Sequence, residues 1–161
     1  IARRAIEDEN VRIPDRTEFL GESRQQAAKW IEDARQTVDD LMVVGLWAWF
    51  ERYLIEFIQS RTSAIASSIP QSFGSQLRNK MREEIEHWRL DDILNLFKTL
   101  IDASQIGIAK QIKDYRDWIA HRNPNRPPPA QTEPTSVYAL LSAMIKAVGD
   151  VSITTRAPES K

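Results

Sequence analysis

The chain has 161 residues, of which 42% are hydrophobic and 28% are charged, and its formal net charge is −1. This length and composition are typical of a folded domain with an apolar core and exclude a disordered chain. The net charge also excludes a protein that coats nucleic acid through bulk positive charge, so any contact with nucleic acid must come from a local basic patch.

The chain contains no cysteine and only 2 histidines. Disulfides, thiolate zinc sites and a cysteine nucleophile are therefore excluded, and two histidines do not suffice for a multi-histidine metal cage. We expect no metal and no cofactor. No apolar block opens the chain, and its most apolar run, residues 41–50, is about half as long as a bilayer-spanning helix. We therefore expect a cytoplasmic protein without membrane contact.

The predicted elements begin with a long helix. A capping box at Asp15 and Glu18 precedes apolar residues that recur at helical spacing as far as Met42. Gly45 is expected to interrupt this helix, after which a second apolar series continues to about Ile65. The residues expected to face the core along this stretch include Trp30, Ile31, Ala34, Val38, Leu41, Met42, Trp47, Phe50 and Leu54.

Residues 67–74 contain serines, a proline and a glycine, which is typical of a connection. A third helix is expected from Ser75 to Trp88. Asp91 or Asp92 then caps a fourth helix. Its predicted core stripe is Ile93, Leu96, Phe97, Leu100 and Ile101.

Ser104 is expected to cap a fifth helix, which must end near His121 because the pair Asn123-Pro124 cannot continue it. The predicted core stripe of this helix is Ile108, Ile112, Tyr115 and Ile119. A proline-rich loop over residues 124–134 then extends across the surface in polyproline geometry.

A last helix is predicted from Val137 to Val148, with Thr135 or Ser136 as its cap and Gly149 as its end. The fold class that follows is all-α, a helical bundle of about five to six helices. We expect residues 1–150 to form a single domain that includes the proline-rich loop, and residues 151–161 to form a C-terminal tail.

Arg116, Asp117 and His121 carry the clearest chemistry. At about 100° per residue, Asp117 and His121 lie nearly opposite the apolar stripe of their helix, and Arg116 lies on the flank. Asp117 and His121 are four residues apart, so we expect the carboxylate to accept a hydrogen bond from one imidazole nitrogen and to leave the other free for proton transfer. The planar guanidinium of Arg116 suits a phosphate. Lys113, Arg122 and Arg126, together with Lys110, make the surroundings of Arg116 locally basic, although Asp114 and Asp117 reduce this charge.

The alternative interpretation of these three residues is a solvated helix end with an internal ion pair. Arg82 and His87 have the same spacing and serve as a control. That second pair is expected inside a helix, with Glu83, Glu84 and Glu86 between its members, where the carboxylates would repel a phosphate. The spacing by itself is therefore a weak signal.

The segment from Tyr115 to Asn123 has a polar residue directly after its arginine, a small residue directly before its histidine, and the histidine at a helix end. This pattern resembles the HEPN domain (higher eukaryotes and prokaryotes nucleotide-binding), a helical-bundle family whose signature is an arginine, a polar residue, a few more positions and then a histidine. The resemblance extends by helix order from about Arg16 to Asn123. It is specific only from Arg116 to His121.

The resemblance implies a metal-independent endoribonuclease that acts as a homodimer, with two Arg/His motifs in one composite cleft. In some members the domain is the toxin of a toxin–antitoxin system, so the implied partners are RNA, a second copy and an antitoxin protein. His121 would activate the ribose 2′-hydroxyl or protonate the leaving 5′-oxygen, Arg116 would stabilise the charge on the pentavalent phosphate, and Asp117 would orient the site. The basic residues near the motif would bind the RNA, namely Lys113, Arg122 and Arg126.

Glu51 is our candidate for the acidic residue that this family often has on an earlier helix. Tyr115 and Asn123, which flank the motif, are expected to support it. The alternative for Glu51 is a glutamate at a helix edge that pairs with an arginine. Trp118 lies away from the apolar stripe and could stack on a base, but we favour packing in a dimer interface.

A lone helix holds Arg116 and His121 about 140° apart on the helical wheel, too far for both to grip one phosphate easily. A second copy would place an arginine and a histidine from different chains side by side. Some HEPN domains do not cleave RNA, however. The alternative function is a non-catalytic helical module that binds nucleotides, RNA or proteins.

Overall fold

The computed structural model describes residues 24–121, 129–130 and 132–154, with side chains described as far as residue 150. These residues contain helices and no strand. The helices are α1 (Arg24–Ala66), α2 (Gln71–Ile85), α3 (Leu90–Leu96), α4 (Ala103–His121) and α5 (Pro134–Thr154). The prediction of an all-α bundle of about five to six helices is confirmed, with five helices among the described residues. None of the described helices is both long and apolar enough to cross a lipid bilayer.

The chain divides into two compact units within α1, the first ending at Met42 and the second beginning at Val43. In the first unit the description covers the helical residues 24–42, where Gln36 donates a 2.9 Å hydrogen bond to the buried carboxylate of Asp40. The second unit contains the remainder of α1 and all of α2 to α5. The predicted domain of residues 1–150 spans both units and stays a prediction.

The apolar core of the second unit comes from one face of each helix. On α1 the fully buried residues Val43, Trp47, Phe50 and Leu54 follow one another at intervals of three or four, which places them on one side of the helix. The same spacing recurs on α4 and α5. The most deeply buried large side chains are Val43, Trp47, Phe50, Leu54, Ile85, Ile93, Leu94, Ile112, Val137, Met144 and Val148.

The predicted break at Gly45 is wrong, because α1 runs through this residue without interruption. A glycine inside a helix costs only about 1 kcal/mol relative to alanine, and the helical turns on either side contribute buried residues such as Val43 and Trp47. The predicted core stripe before Gly45 is also largely wrong. Four of its large apolar residues are exposed by 39% to 63%, namely Trp30, Val38, Leu41 and Met42.

Helix α2 begins at Gln71, four residues before the predicted start, so that the connection from α1 shrinks to residues 67–70. Gly74 lies buried in its first turns, and a Cβ atom at this position would overlap the backbone carbonyl oxygen of Ala66. The glycine therefore lets the start of α2 approach the end of α1 closely.

The helix caps differ from the prediction at α3 and α4. Arg89 is the N-cap residue of α3, while Asp91 and Asp92 occupy its first turn, where their charges favour the helix dipole. At α4 the cap is Asp102, whose Oδ1 accepts a 2.7 Å hydrogen bond from the backbone N–H of Ser104 and a second from the Ser104 hydroxyl. These bonds lower the pKa of Asp102 below its ordinary value.

The predicted stripe of α4 is correct except at Ile108, which is 47% exposed. Ile106 and Ala109 take its place in the core, ahead of Ile112, Tyr115 and Ile119.

The final helix also exceeds its predicted limits. Helix α5 starts at Pro134, a residue suited to the first helical position, and continues past Gly149 to Thr154.

Candidate functional site

The candidate site lies on the last two turns of α4. Tyr115 and Ile119 are buried and pack these turns against the core of the second unit. Arg116 and Asp117, the next residues after Tyr115, consequently emerge at the edge of the core, where both are partly exposed. His121 is the last residue of α4 and is exposed.

Glu51 on α1 holds the Arg116 side chain. The Nη2 atom of Arg116 donates a 3.0 Å hydrogen bond to Oε2 of Glu51, in an ion pair whose side chains are 26% and 33% exposed, respectively. Glu51 follows the buried Phe50, so the core also fixes the position of the carboxylate. The acidic partner predicted on an earlier helix therefore contacts the arginine directly. This geometry agrees equally with a catalytic support and with an ion pair at a helix edge.

Asp117 joins Arg116 to a further cation. Its Oδ1 forms an ion pair with Nη1 of Arg116 at 2.9 Å, and its Oδ2 accepts a 3.0 Å hydrogen bond from Nζ of Lys113. The bond to Asp117 raises the pKa of Lys113, against the lowering effect of burial. Glu51, Arg116, Asp117 and Lys113 thus form an ion-pair network of alternating charge that restricts the guanidinium from both sides.

The prediction of a hydrogen bond between Asp117 and His121 is wrong, although both residues are described. Both oxygens of Asp117 are taken by Lys113 and Arg116, and no hydrogen bond joins the carboxylate to the imidazole. A lysine or arginine competes well for a carboxylate, because its full positive charge adds Coulomb attraction that a neutral donor lacks. Asp117 therefore orients Arg116 and forms no hydrogen bond with the imidazole of His121.

Arg116 retains donors that a phosphate could use. A guanidinium has five N–H groups, and its contacts with Glu51 and Asp117 engage one terminal nitrogen each. Its Nε atom is buried, without a hydrogen-bond partner among the described residues, and is therefore out of reach of a phosphate. The donors that remain are the second N–H groups of the two terminal nitrogens. The side chain is therefore held in one orientation without exhausting its capacity to donate.

The predicted supporting residues divide into described and undescribed positions. Tyr115 is buried, and its ring stacks on that of Trp118 at a centroid distance of 6.3 Å and an angle of 20°. Trp118 is partly buried against the core of its own chain, and its predicted role in a dimer interface stays a prediction. Asn123, Arg122 and Arg126 lie outside the described residues, as do the predicted capping box and most of the proline-rich loop.

The control pair, Arg82 and His87, is placed differently from the prediction. Helix α2 ends at Ile85, so His87 lies in the turn after the helix and not inside it. A histidine near a helix end is therefore common to both Arg/His pairs. They differ at the arginine, since Arg116 is held by the ion-pair network, whereas Arg82 is exposed and forms no ion pair with a described residue.

The described residues contain no group of three or more His, Cys, Asp or Glu side chains arranged to hold a metal ion. The groups that the site does present are an imidazole for proton transfer and an oriented guanidinium for anionic charge. No family model, no curated protein and no solved structure matches the chain. The resemblance to HEPN domains stays a prediction that depends on the motif from Arg116 to His121.

Proposed function

We propose that the chain is a metal-independent endoribonuclease. The observation that carries this proposal is the combination, at the end of α4, of an exposed imidazole and a guanidinium oriented by two carboxylates. Imidazole is the side chain best suited to move protons near neutral pH, and a preorganised guanidinium stabilises the charge that develops on a phosphate in the transition state.

In the proposed reaction, the 2′-oxygen of a ribose attacks the adjacent phosphorus atom and the bond from phosphorus to the 5′-oxygen breaks. The products are a 2′,3′-cyclic phosphate and a 5′-hydroxyl end. His121 accepts the proton of the 2′-hydroxyl or donates a proton to the leaving 5′-oxygen, a contribution typically worth about 10²–10⁴-fold in rate. Arg116 donates hydrogen bonds to the non-bridging oxygens of the pentavalent phosphate.

Glu51 and Asp117 act in this proposal as positioning residues for Arg116. Each removes rotational freedom from the guanidinium before the substrate arrives, so less entropy is lost when the phosphate binds. The network adds no net charge, since its two cations balance its two anions. Attraction of RNA must then come from other basic residues, for which Arg122 and Arg126 are our candidates. Lys113 is engaged with Asp117 and would contribute less to RNA binding than predicted.

A homodimer is part of the proposal. Arg116 and His121 point about 140° apart around α4, so a cleft built by two copies would combine the arginine of one chain with the histidine of the other. The motif's resemblance to HEPN toxins adds an antitoxin protein as a proposed partner and the cytoplasm as the proposed location.

A second candidate function is a non-catalytic helical module that binds nucleotides, RNA or proteins. The observation that favours it is the ion pair between Arg116 and Glu51, which links α4 to α1 and would stabilise the bundle without any substrate. In this alternative, Arg116 contributes to the fold and His121 is an exposed residue at a helix end.

The experiment that separates the two candidates is incubation of the purified protein with RNA in the presence of a chelator. Endoribonuclease activity predicts fragments with 2′,3′-cyclic phosphate ends, formed by the wild type and lost in both Arg116→Ala and His121→Ala. A wild-type protein that binds RNA but leaves it intact, with both variants folded, would instead favour the non-catalytic module.

A further inference from the structure

A second polar region lies in the groove between the C-terminal part of α1 and α2. It contains an open recess of about 260 Å³. Helices normally meet through apolar side chains, but every residue that lines this recess is polar or charged. They are Glu56, Gln59, Ser60, Thr62 and Ser63 on α1, and Arg78, Asn79 and Arg82 on α2.

The two arginines of the recess share one face of α2, because they are four residues apart. Neither forms an ion pair with any described residue. The neighbouring carboxylates have other partners, since Glu84 pairs with Lys80 and Glu86 accepts hydrogen bonds from Arg52. Like charges at this spacing destabilise a helix, so an anion bound between the two guanidinium groups would relieve a repulsion that is present in the empty groove.

The other lining residues add neutral hydrogen-bonding groups. The hydroxyls of Ser60 and Ser63 have no partner among the described residues, and the amide of Asn79 lies between the two arginines in the sequence of α2. Thr62 is different, because its hydroxyl already donates to the carbonyl of Ile58 at 2.9 Å. The recess therefore combines strong cationic donors with groups that can recognise hydroxyls on a ligand.

Glu56 limits what the ligand can be. Gln59 of α1 contacts the backbone carbonyl of Arg82 on α2 at 3.4 Å, so Glu56, about one turn earlier on α1, lies toward the Arg82 end of the recess. Its carboxylate pairs with Arg52 but still adds negative charge to the lining. A ligand with one anionic group and an uncharged, hydroxyl-rich remainder suits this distribution better than a polyanion does.

We propose that this recess binds a small phosphomonoester that carries hydroxyl groups, a sugar phosphate in chemical class. Arg78 and Arg82 hold the phosphate, for which guanidinium is the preferred side chain. Asn79 and the two serines hold the hydroxyls. The volume lies just below the range of about 300–1,000 Å³ typical of sites for drug-sized ligands, which fits a ligand of the size of a sugar phosphate.

The test is titration of the full chain with ribose 5-phosphate, by calorimetry or by NMR chemical-shift changes, with ribose and inorganic phosphate as separate probes. We expect Arg78→Gln and Arg82→Gln each to weaken the affinity for ribose 5-phosphate by about tenfold or more, the usual effect of losing a charge-assisted hydrogen bond. Arg89→Gln removes an exposed arginine outside the recess and should leave the affinity unchanged. Circular dichroism confirms the fold of each variant.

Four results would overturn the proposal. The first is that ribose 5-phosphate shows no saturable binding, and the second is that Arg89→Gln weakens its affinity as much as Arg78→Gln and Arg82→Gln do. The third is that ribose 5-phosphate and inorganic phosphate bind with equal affinity. The fourth is that a 5′-phosphorylated oligonucleotide binds much more tightly than ribose 5-phosphate. Equal affinities would mean that the recess does not recognise the sugar hydroxyls. A preference for the oligonucleotide would mean that the ligand is a nucleic acid and not a free sugar phosphate. His121→Ala should leave binding at the recess unchanged, so this test is independent of RNA cleavage.

Discussion

The Arg116 guanidinium on α4 and the Glu51 carboxylate on α1 meet at 3.0 Å, although 65 residues separate them in the chain. Each neighbours a buried aromatic residue, Tyr115 and Phe50, so the core fixes both ends of the ion pair. The contact connects two helices of the bundle and sets the direction of the guanidinium. Its contribution to stability and its role in the proposed reaction can be measured separately.

Glu51→Gln should lower the free energy of unfolding by about 1 kcal/mol, because the neutral amide replaces a charge-assisted bond to a partly buried guanidinium. Glu56→Gln is the matched control on the same helix. Glu56 pairs with Arg52 through side chains that are more than half exposed, and such pairs contribute little. We expect its effect to stay within about 0.5 kcal/mol in urea denaturation. Equal losses in the two variants would mean that the Glu51–Arg116 pair is no more than a surface contact.

Gly74→Ala should destabilise the protein, because the added Cβ atom would overlap the backbone carbonyl oxygen of Ala66 and the two helix ends would have to separate. Gly107→Ala, in α4, should do the opposite. A Cβ atom there meets nothing within 4 Å, so the substitution should raise stability by roughly 0.5–1 kcal/mol. Thermal denaturation of both variants checks this prediction, and a stabilised Gly74→Ala variant would contradict the close approach of α1 and α2.

The cap of α4 should make a pH-dependent contribution to stability. Because the hydrogen bonds from Ser104 lower the pKa of Asp102 in the folded protein, the cap contributes fully above the ordinary pKa of an aspartate, about 3.9. That contribution is lost as the pH falls through the lowered pKa. Asp102→Ala should therefore be less stable than the wild type at pH 7, and the difference should shrink below about pH 4. A difference that is constant from pH 7 to pH 2 would exclude the cap as its source.

The existence of the helices could be predicted from the sequence, but their limits and exposed faces could not. Apolar spacing identifies a helix and its apolar side, yet it does not say whether another element covers that side. This explains why Val38 and Leu41, on a well-formed stripe, are exposed. A single glycine is a weak signal for a helix end, since the cost of about 1 kcal/mol at Gly45 is smaller than the gain from the buried residues on either side, and α5 likewise continues past Gly149.

For the candidate site, local spacing indicated which residues approach one another but not which contacts would form. Asp117 has a histidine four residues after it and a lysine four residues before it, and the structure pairs it with Lys113 and with Arg116. The full positive charge of the two cations favours that outcome over His121. Glu51 could be named as a candidate from its position beside core residues, whereas its contact with Arg116 depends on how α1 and α4 pack.

A mixture of two inactive variants should recover RNA cleavage if the site is composite. In a heterodimer of Arg116→Ala and His121→Ala, one cleft combines the intact histidine of the first chain with the intact arginine of the second. We expect each variant alone to be inactive and the mixture to regain part of the wild-type rate after subunit exchange. If mixing restores nothing although the subunits demonstrably exchange, each site must use both groups of a single chain.

In the proposed reaction, His121 moves a proton during cleavage of an RNA phosphodiester. The most direct test compares the cleavage rates of His121→Ala and His87→Ala, two substitutions at exposed histidines that should both leave stability within about 0.5 kcal/mol of the wild type. We predict that His121→Ala loses at least about 10²-fold in rate and that His87→Ala cleaves as the wild type does. Equal rates in the two variants, or RNA that stays intact with the wild type, would contradict the claim.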